Sequence, residues 1–185
     1  AANVDQVLAV MSIQQPSFNT DLLNRLLVGA EFQGLDVVIC ATKTDLGIPD
    51  DVQKTLDGYR DMYQVITSSV VTEDGLETVR DALSGKTSVA IGLSGVGKTS
   101  LLNALEPELD LRVQTVNDKT GQGRHTTTHA ELVALSGGGH LVDAPGLREL
   151  SLWSADEDTI ATLFPEFRPI LGTCRFGGSC IHRNE

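Results

Sequence analysis

The sequence predicts an α/β fold, a mostly parallel sheet covered by helices on both faces. Three observations carry that expectation. Short apolar runs alternate with segments of helical periodicity along most of the chain. The connections are short, so each strand is followed by a helix that returns the chain to start a parallel neighbour. A Gly-rich turn, GLSGVGKTS (92–100), stands between one apolar run and the next helical pattern. Sheets of this kind bind ligands in such turns, beyond the carboxyl ends of their strands.

The elements follow in order. QVLAVMS (6–12) reads as a buried strand. NTDLLNRLLVGAEF (19–32) spaces Leu22, Leu23, Leu26 and Leu27 as a helix does, with Asn19 or Thr20 as its cap. LDVVICAT (35–42) is a second strand, and PDDVQKTLDGYRDM (49–62) opens as helices do, with Pro and two acids. YQVITSS (63–69) is a third strand and GLETVRDAL (75–83) a third helix. KTSVAIGLS (86–94) is a fourth strand running into the Gly-rich turn, and KTSLLNAL (98–105) the helix beyond it. Residues 107–128 are the longest irregular stretch, which marks a functional loop. HAELVALS (129–136) and GHLVDAP (139–145) are the last strands, joined as a hairpin through GGG (137–139). SADEDTIATLF (154–164) reads as a late helix.

Length and charge bound the rest. The 185 residues suffice for one sizeable domain with an appendage. A formal charge of −11 does not by itself suggest a body that binds nucleic acid. The exception is RPILGTCRFGGSCIHRNE (168–185), where Arg168, Arg175 and Arg183 face a single acid, so any RNA contact belongs to that end. No apolar run is long enough for a membrane helix, and no membrane partner is expected. AANVDQVLAV (1–10) lacks the basic region of a secretory signal. It reads as a strand entered from something upstream, so a piece of a longer protein is expected. Cys40, inside a strand, is expected in the core. Cys174 and Cys180 fall beside His182, which favours a metal over a disulfide and a reducing cytoplasm over secretion.

Two fragments look like halves of a nucleotide site. Gly92 to Thr99 satisfies G-x-x-x-x-G-K-[ST] between a strand and a helix. The backbone amides at Gly95, Val96, Gly97, Lys98, Thr99 and Ser100 would cradle phosphates, with Gly92 and Ser94 shaping the turn. Lys98 would reach the β- and γ-phosphates and the Thr99 hydroxyl would bind Mg2+. In VDAPG (142–146), Asp143 at a strand end can hold the Mg2+ shell and the Gly146 amide can meet the γ-phosphate. The other half comes earlier in the chain. In TKTD (42–45), a buried Asp45 would accept both the ring N–H and the exocyclic amine of guanine, a pair adenine cannot offer. The Lys43 stem would lie over the base, and the backbone of Ser68 and Ser69 would donate to the guanine carbonyl. These are the parts of a GTPase in rotated order, as a circular permutation would leave them.

The set resembles the circularly permuted GTPases of the RsgA/YjeQ type, bacterial factors for late assembly of the small ribosomal subunit. The residues that carry the resemblance are ANVDQVLAV (2–10), TKTD (42–45), GLSGVGKTSLLN (92–103), GRHTTTHAEL (123–132), DAPGLREL (143–150) and CRFGGSCIH (174–182). The resemblance implies a permuted GTPase domain over 1–165 and the start of a zinc-binding region over 166–185. It implies GTP hydrolysis stimulated by the small subunit, contact with its rRNA, and an rRNA-binding OB-fold domain ahead of this chain. A cytoplasmic monomer is expected. Where the family has Asn, this chain has Thr42, so one contact to the purine and one brace to the phosphate loop should weaken. Guanine preference should survive at reduced affinity. Cys174 and Cys180 stand one residue further apart than is usual, and the family's last Cys ligand would lie beyond Glu185.

Cys174, Cys180 and His182 offer two thiolates and an imidazole to Zn2+, which takes four ligands in a structural site. His129 and His140 read as structural or exposed. GRHTTTHAEL stands where a switch loop belongs, and the resemblance favours Thr127 as the hydroxyl that closes on Mg2+, with Thr126 and Thr128 as rivals. Some GTPases aim the attacking water with a Gln just after D-x-x-G, but here that place is Leu147. His125 is then the candidate, since a neutral imidazole can order water, while Arg124 can meet phosphate or RNA. Two rivals stay open: a P-loop ATPase or kinase, and a GTP-sensing module with negligible turnover.

Overall fold

The computed structural model of the chain describes residues 3–109, 131–143, 160–171 and 173. Strands β1 (Gln6–Ser12), β2 (Asp36–Thr42), β3 (Gln64–Thr67), β4 (Thr87–Ile91), β5 (Glu131–Ala134) and β6 (His140–Asp143) form one sheet in the order β3-β2-β1-β4-β6-β5. All neighbours are parallel except β5 with β6. The expected hairpin is therefore the one antiparallel pair in this sheet.

Why β1 carries so apolar a sequence follows from its place. It pairs with β2 on one side and β4 on the other, and every one of its residues is buried. Helices α1 (Thr20–Phe32) and α2 (Asp50–Tyr59) cover one face. There Leu23, Leu26, Leu27 and Leu56 meet Val7, Ala9, Met11 and Ile39. Helices α3 (Leu76–Leu83) and α4 (Lys98–Leu105) cover the other, where Val79, Leu83, Leu101 and Leu105 meet Leu8, Val10, Cys40 and Ala90. Alternate residues of β1 and β2 thus serve opposite cores. Gln6 and Ser12 are the polar members of β1, and Gln6 lies deepest. Its amide donates to Ala82 O and Ser88 Oγ, and its carbonyl accepts from Lys86 Nζ at 3.0 Å, so its burial leaves nothing unpaired.

Most elements form where the sequence places them, and the differences are local. Asn19 caps α1, its side chain accepting from Leu22 N at 2.8 Å. Helix α2 stops at Tyr59 rather than 62, where Arg60 N donates to Asp57 O, three residues back in place of four. Strand β3 stops at Thr67, since Ser69 donates to Asp74 and leaves the ladder. In the described part of the expected late helix Ile160 is α-helical and Ala161–Leu163 a 3-10 turn, followed by another at Pro165–Phe167. Pro165 has no N–H with which to continue an α-helix.

The hairpin turn docks on the α3–β4 turn at the edge of the sheet away from the Gly-rich loop. Gly85 N donates to Gly138 O, His140 N to Lys86 O and Ser84 Oγ to Gly137 O. At Gly139 (φ 89°) a Cβ would lie 2.4 Å from Lys86 O, so the third glycine is a packing requirement.

Candidate nucleotide-binding site

Because β1, β2, β3, β4 and β6 are parallel, their carboxyl ends share one edge, and the two expected half-sites stand there together. Strand β4 ends at Ile91 and Gly92 crosses directly over β1, where a Cβ would fall 2.2 Å from Val10 O. Only glycine lets the loop pass. Val96, 1% exposed, pins the loop into the core beneath it. Gly97 then precedes α4, so the helix begins at Lys98 with its first N–H groups at the loop. Lys98 Nζ lies back over the turn, donating to Gly92 O at 2.8 Å and Leu93 O at 2.9 Å. Thr99 and Ser100 are half-buried in the first turn of the helix, while Ser94 is exposed.

The TKTD segment touches this loop directly. Thr42 Oγ1 donates to Val96 O at 2.5 Å, and Lys43 Nζ donates to Gly95 O at 2.7 Å. Residues 54 apart in sequence are hydrogen-bonded here. The brace to the Gly-rich loop is made here by the Thr42 hydroxyl. Lys43 holds a left-handed backbone (φ 62°), a conformation non-glycine residues keep where their surroundings impose it. Its ammonium also donates to Gln15 O. Burial lowers the Lys43 pKa from its ordinary value, and the nearby Asp45 opposes that shift.

Asp45 stands on a 3-10 turn, Thr44–Leu46, that projects past the end of β2. It is exposed rather than buried, which corrects the sequence expectation. Its position is nonetheless fixed, since Ser69 Oγ donates to Asp45 Oδ1 at 2.6 Å. Ser69 Oγ in turn accepts from Val71 N and Thr72 N, and Thr44 N donates to Ser68 O. The two serines thus organise the loop, but not through the groups expected of them. Ser68 N–H is spent on Ala41 O and Ser69 N–H on Asp74 O. The next donor along the loop is Val70 N–H, which has no acceptor among the described residues. Sequence reasoning passed over Val70, because only the Ser69–Asp74 bond shows that the free amide is shifted by one.

Asp143 ends β6, its backbone paired with Ala90 of β4, so it enters the same edge one strand beyond the Gly-rich loop. Gly146, Arg124, His125, Thr126, Thr127, Thr128, His129, Leu147, Cys174, Cys180 and His182 lie outside the described residues. Among the described residues no three His, Cys, Asp or Glu side chains form a metal cluster. His140 is exposed at the start of β6, and Cys40 is wholly buried. No helix among the described residues is long and apolar enough to cross a membrane.

The chemistry of this edge suits a nucleotide. A glycine crossing and a helix N-terminus offer amides to phosphate, and a carboxylate braced by a serine stands one loop away. Comparison with known proteins agrees. A family model described as RsgA GTPase matches residues 1–153. The chain belongs to the RsgA GTPase family. Among RsgA relatives, the small ribosomal subunit biogenesis GTPase RsgA of Gemmatimonas aurantiaca is 46% identical, over 100% of this chain and 60% of that protein. The same-named protein of Shewanella oneidensis is 43% identical, over 100% of this chain and 53% of its own length. The chain thus spans between half and two thirds of these RsgA proteins. The crystal structure of YjeQ from Thermotoga maritima superposes with a TM-score of 0.78 at 34% identity, covering 99% of this chain and 61% of that one. YloQ, described as a circularly permuted GTPase, gives 0.73 at 34% identity, covering 99% and 58%. The rotated order of motifs thus has the same explanation here as in YloQ.

Proposed function

We propose that this chain binds GTP and GDP with Mg2+ and hydrolyses GTP, as the GTPase part of a factor for maturation of the small ribosomal subunit. The observation that supports the reading is the pair of bonds from Thr42 and Lys43 to Val96 and Gly95, which bring the two expected half-sites into contact. Guanine would sit with its N–H edge on Asp45, its carbonyl on Val70 N–H and its face on the Lys43 stem. The phosphates would lie on the amides at 95–100, and Lys98 would exchange its loop carbonyls for phosphate oxygens. Thr99 would ligate Mg2+, with Asp143 behind it and Thr127 closing when the γ-phosphate is present. His125 would order the attacking water, and the Gly146 amide would meet the γ-phosphate. Bound there, the ion would supply charge neutralisation to the phosphates.

The relatives' names speak of small ribosomal subunit biogenesis, and the finer setting is our own reading. We place the activity in the cytoplasm, on a late step of small-subunit assembly, with hydrolysis stimulated by the subunit and its rRNA. Cys174, Cys180 and His182 would contribute three ligands to a structural Zn2+. Calorimetric titration with GDP, GTP and ATP tests the site. Guanine nucleotides should bind at least tenfold tighter than ATP, on the scale of a lost bidentate contact. Asp45→Asn should move the preference toward xanthine nucleotides. Equal binding of ATP would turn the reading to a P-loop ATPase or kinase. Turnover with and without small subunits, using a protein that includes the flanking regions, separates an enzyme from a GTP-sensing module. His125→Ala should lose the stimulated rate and keep GTP binding.

A further inference from the structure

The base-reading turn is held from a third side, by a loop the motifs do not mention. Between β1 and α1 the chain runs Ile13-Gln14-Gln15-Pro16-Ser17-Phe18. Ser12 Oγ ties this loop to Pro16 O at 2.6 Å, and Ile13 N donates to Thr42 O at 3.1 Å. Gln15 O accepts from the Lys43 ammonium. Gln14, half-buried, reaches furthest: its Nε2 donates to Leu46 O at 3.1 Å and to Gly47 O at 2.8 Å.

Those two carbonyls close the 3-10 turn that carries Asp45. The last carbonyls of a helical turn lack partners within the turn itself. Within it, Leu46 N returns to Lys43 O and Gly47 N to Thr44 O. Nothing in the turn can serve the carbonyls of 46 and 47, and Gln14 serves both with one amide. The turn is thus fixed at its front by Thr44 N on Ser68 O, at its carboxylate by Ser69, and at its back by Gln14. Asp45 itself is exposed, so it has no packed wall to hold its aim.

We infer that Gln14 is a positioning residue for base discrimination, which acts by fixing the turn that aims Asp45 at the base. The inference rests on the guanine reading of the site given above. A carboxylate that must meet two N–H groups at once tolerates little rotation, since hydrogen bonds weaken steeply with angle. Loss of the Gln14 amide frees the back of the turn. It should cost most at the contact needing the best alignment, that between Asp45 and the exocyclic amine.

Inosine diphosphate isolates that contact, because it keeps the ring N–H and the carbonyl but lacks the exocyclic amine. The experiment is calorimetric titration of GDP and IDP into the chain and into Gln14→Ala and Gln14→Glu, with melting temperatures recorded alongside. Glu keeps the length of Gln and removes the donor. The expected result is a GDP-over-IDP affinity ratio lowered roughly three- to tenfold in both variants, the scale of one impaired hydrogen bond. Unchanged ratios in both variants, or proportional loss of GDP and IDP affinity, would overturn the inference, since a merely structural role weakens both ligands alike. A wild-type chain that already binds GDP and IDP equally, or prefers ATP, would instead bring down the guanine reading itself.

Discussion

Thr42→Val removes one of the two donors, with Lys43 Nζ, that tie the TKTD turn to the Gly-rich loop, while keeping the shape of the side chain. A hydroxyl has a single proton, and two acceptors compete for it, Val96 O at 2.5 Å and Met11 O at 3.3 Å. The proton goes to Val96. Both residues are buried, Thr42 at 3% exposure and Val96 at 1%, so water cannot replace the lost donor. Withdrawing a partner from a buried carbonyl costs about 1–2 kcal/mol. For a chain of this length each kcal/mol moves the melting temperature by roughly 2–4 °C, so the variant should melt about 2–8 °C lower. A nucleotide gripped by both loops would read the same bond, and GDP affinity should fall roughly fivefold to thirtyfold on that energy. Differential scanning calorimetry and GDP titration measure the two quantities. Thr42→Ser keeps the hydroxyl and should hold affinity near wild type. If Thr42→Val melts and binds as the wild type does, the brace is a coincidence of geometry and the coupling of the two half-sites fails with it.

Other variants probe the frame around the site. Gly139→Ala places a Cβ 2.4 Å from Lys86 O at a positive φ, so the hairpin turn must lift from the α3–β4 turn; a loss of about 2 kcal/mol or more in urea unfolding is expected. Glu73 sits at φ 62° in the loop that Ser69 organises, and Glu73→Gly should relieve backbone strain and raise stability by about 0.5–1 kcal/mol, an effect absent if that φ is not held in solution. Burial pushes the Cys40 thiol from 9.0 up to about 11, a shift that its contact with Ser68 opposes. The folded state then favours the neutral thiol, so its contribution is intact below pH 9 and is lost as pH rises from 9 toward 11, as the unfolded thiol ionises first. Urea midpoints measured across that range should fall less steeply in Cys40→Ala than in the wild type.

What the sequence revealed and what it hid divide along a physical line. Strands β1 and β2 and helices α1 and α4 were legible almost to the residue, because burial on one or both faces writes itself as periodicity. The place of the Gly-rich loop between β4 and α4 was legible because its glycines interrupt both periodicities at a spacing expected of a phosphate cradle. The exposure of Asp45 was not, since TKTD reads the same in a packed or a projecting turn. Nor was Val70, whose part depends on where the Ser69 N–H goes, and that is settled by the carbonyl of Asp74 across a loop. Gln14 was hidden for the same reason: its partners are backbone carbonyls of residues 32 and 33 positions away, and carbonyls carry no sequence signature. Side chains that bind backbone are where single-sequence reasoning stops.

The rotated motif order costs the site little, and the sheet explains why. Parallel strands bring every carboxyl end to one edge whatever order the chain visits them in. The site needs β2 and β4 on either side of β1, with Gly92 crossing over Val10 so that the phosphate loop can reach Thr42. None of those contacts involves chain neighbours. Thr42 and Val96 meet across 54 residues here, and loop closure costs only about 0.6 kcal/mol more for each doubling of length. Rejoining the segments in another order therefore changes the entropy of the unfolded chain by little and the native contacts of the site not at all. Permutation would be costly only if it cut a bond the site depends on. The bonds found here, from Thr42, Lys43, Ser69 and Gln14, all run between side chains and loops that the sheet alone holds side by side.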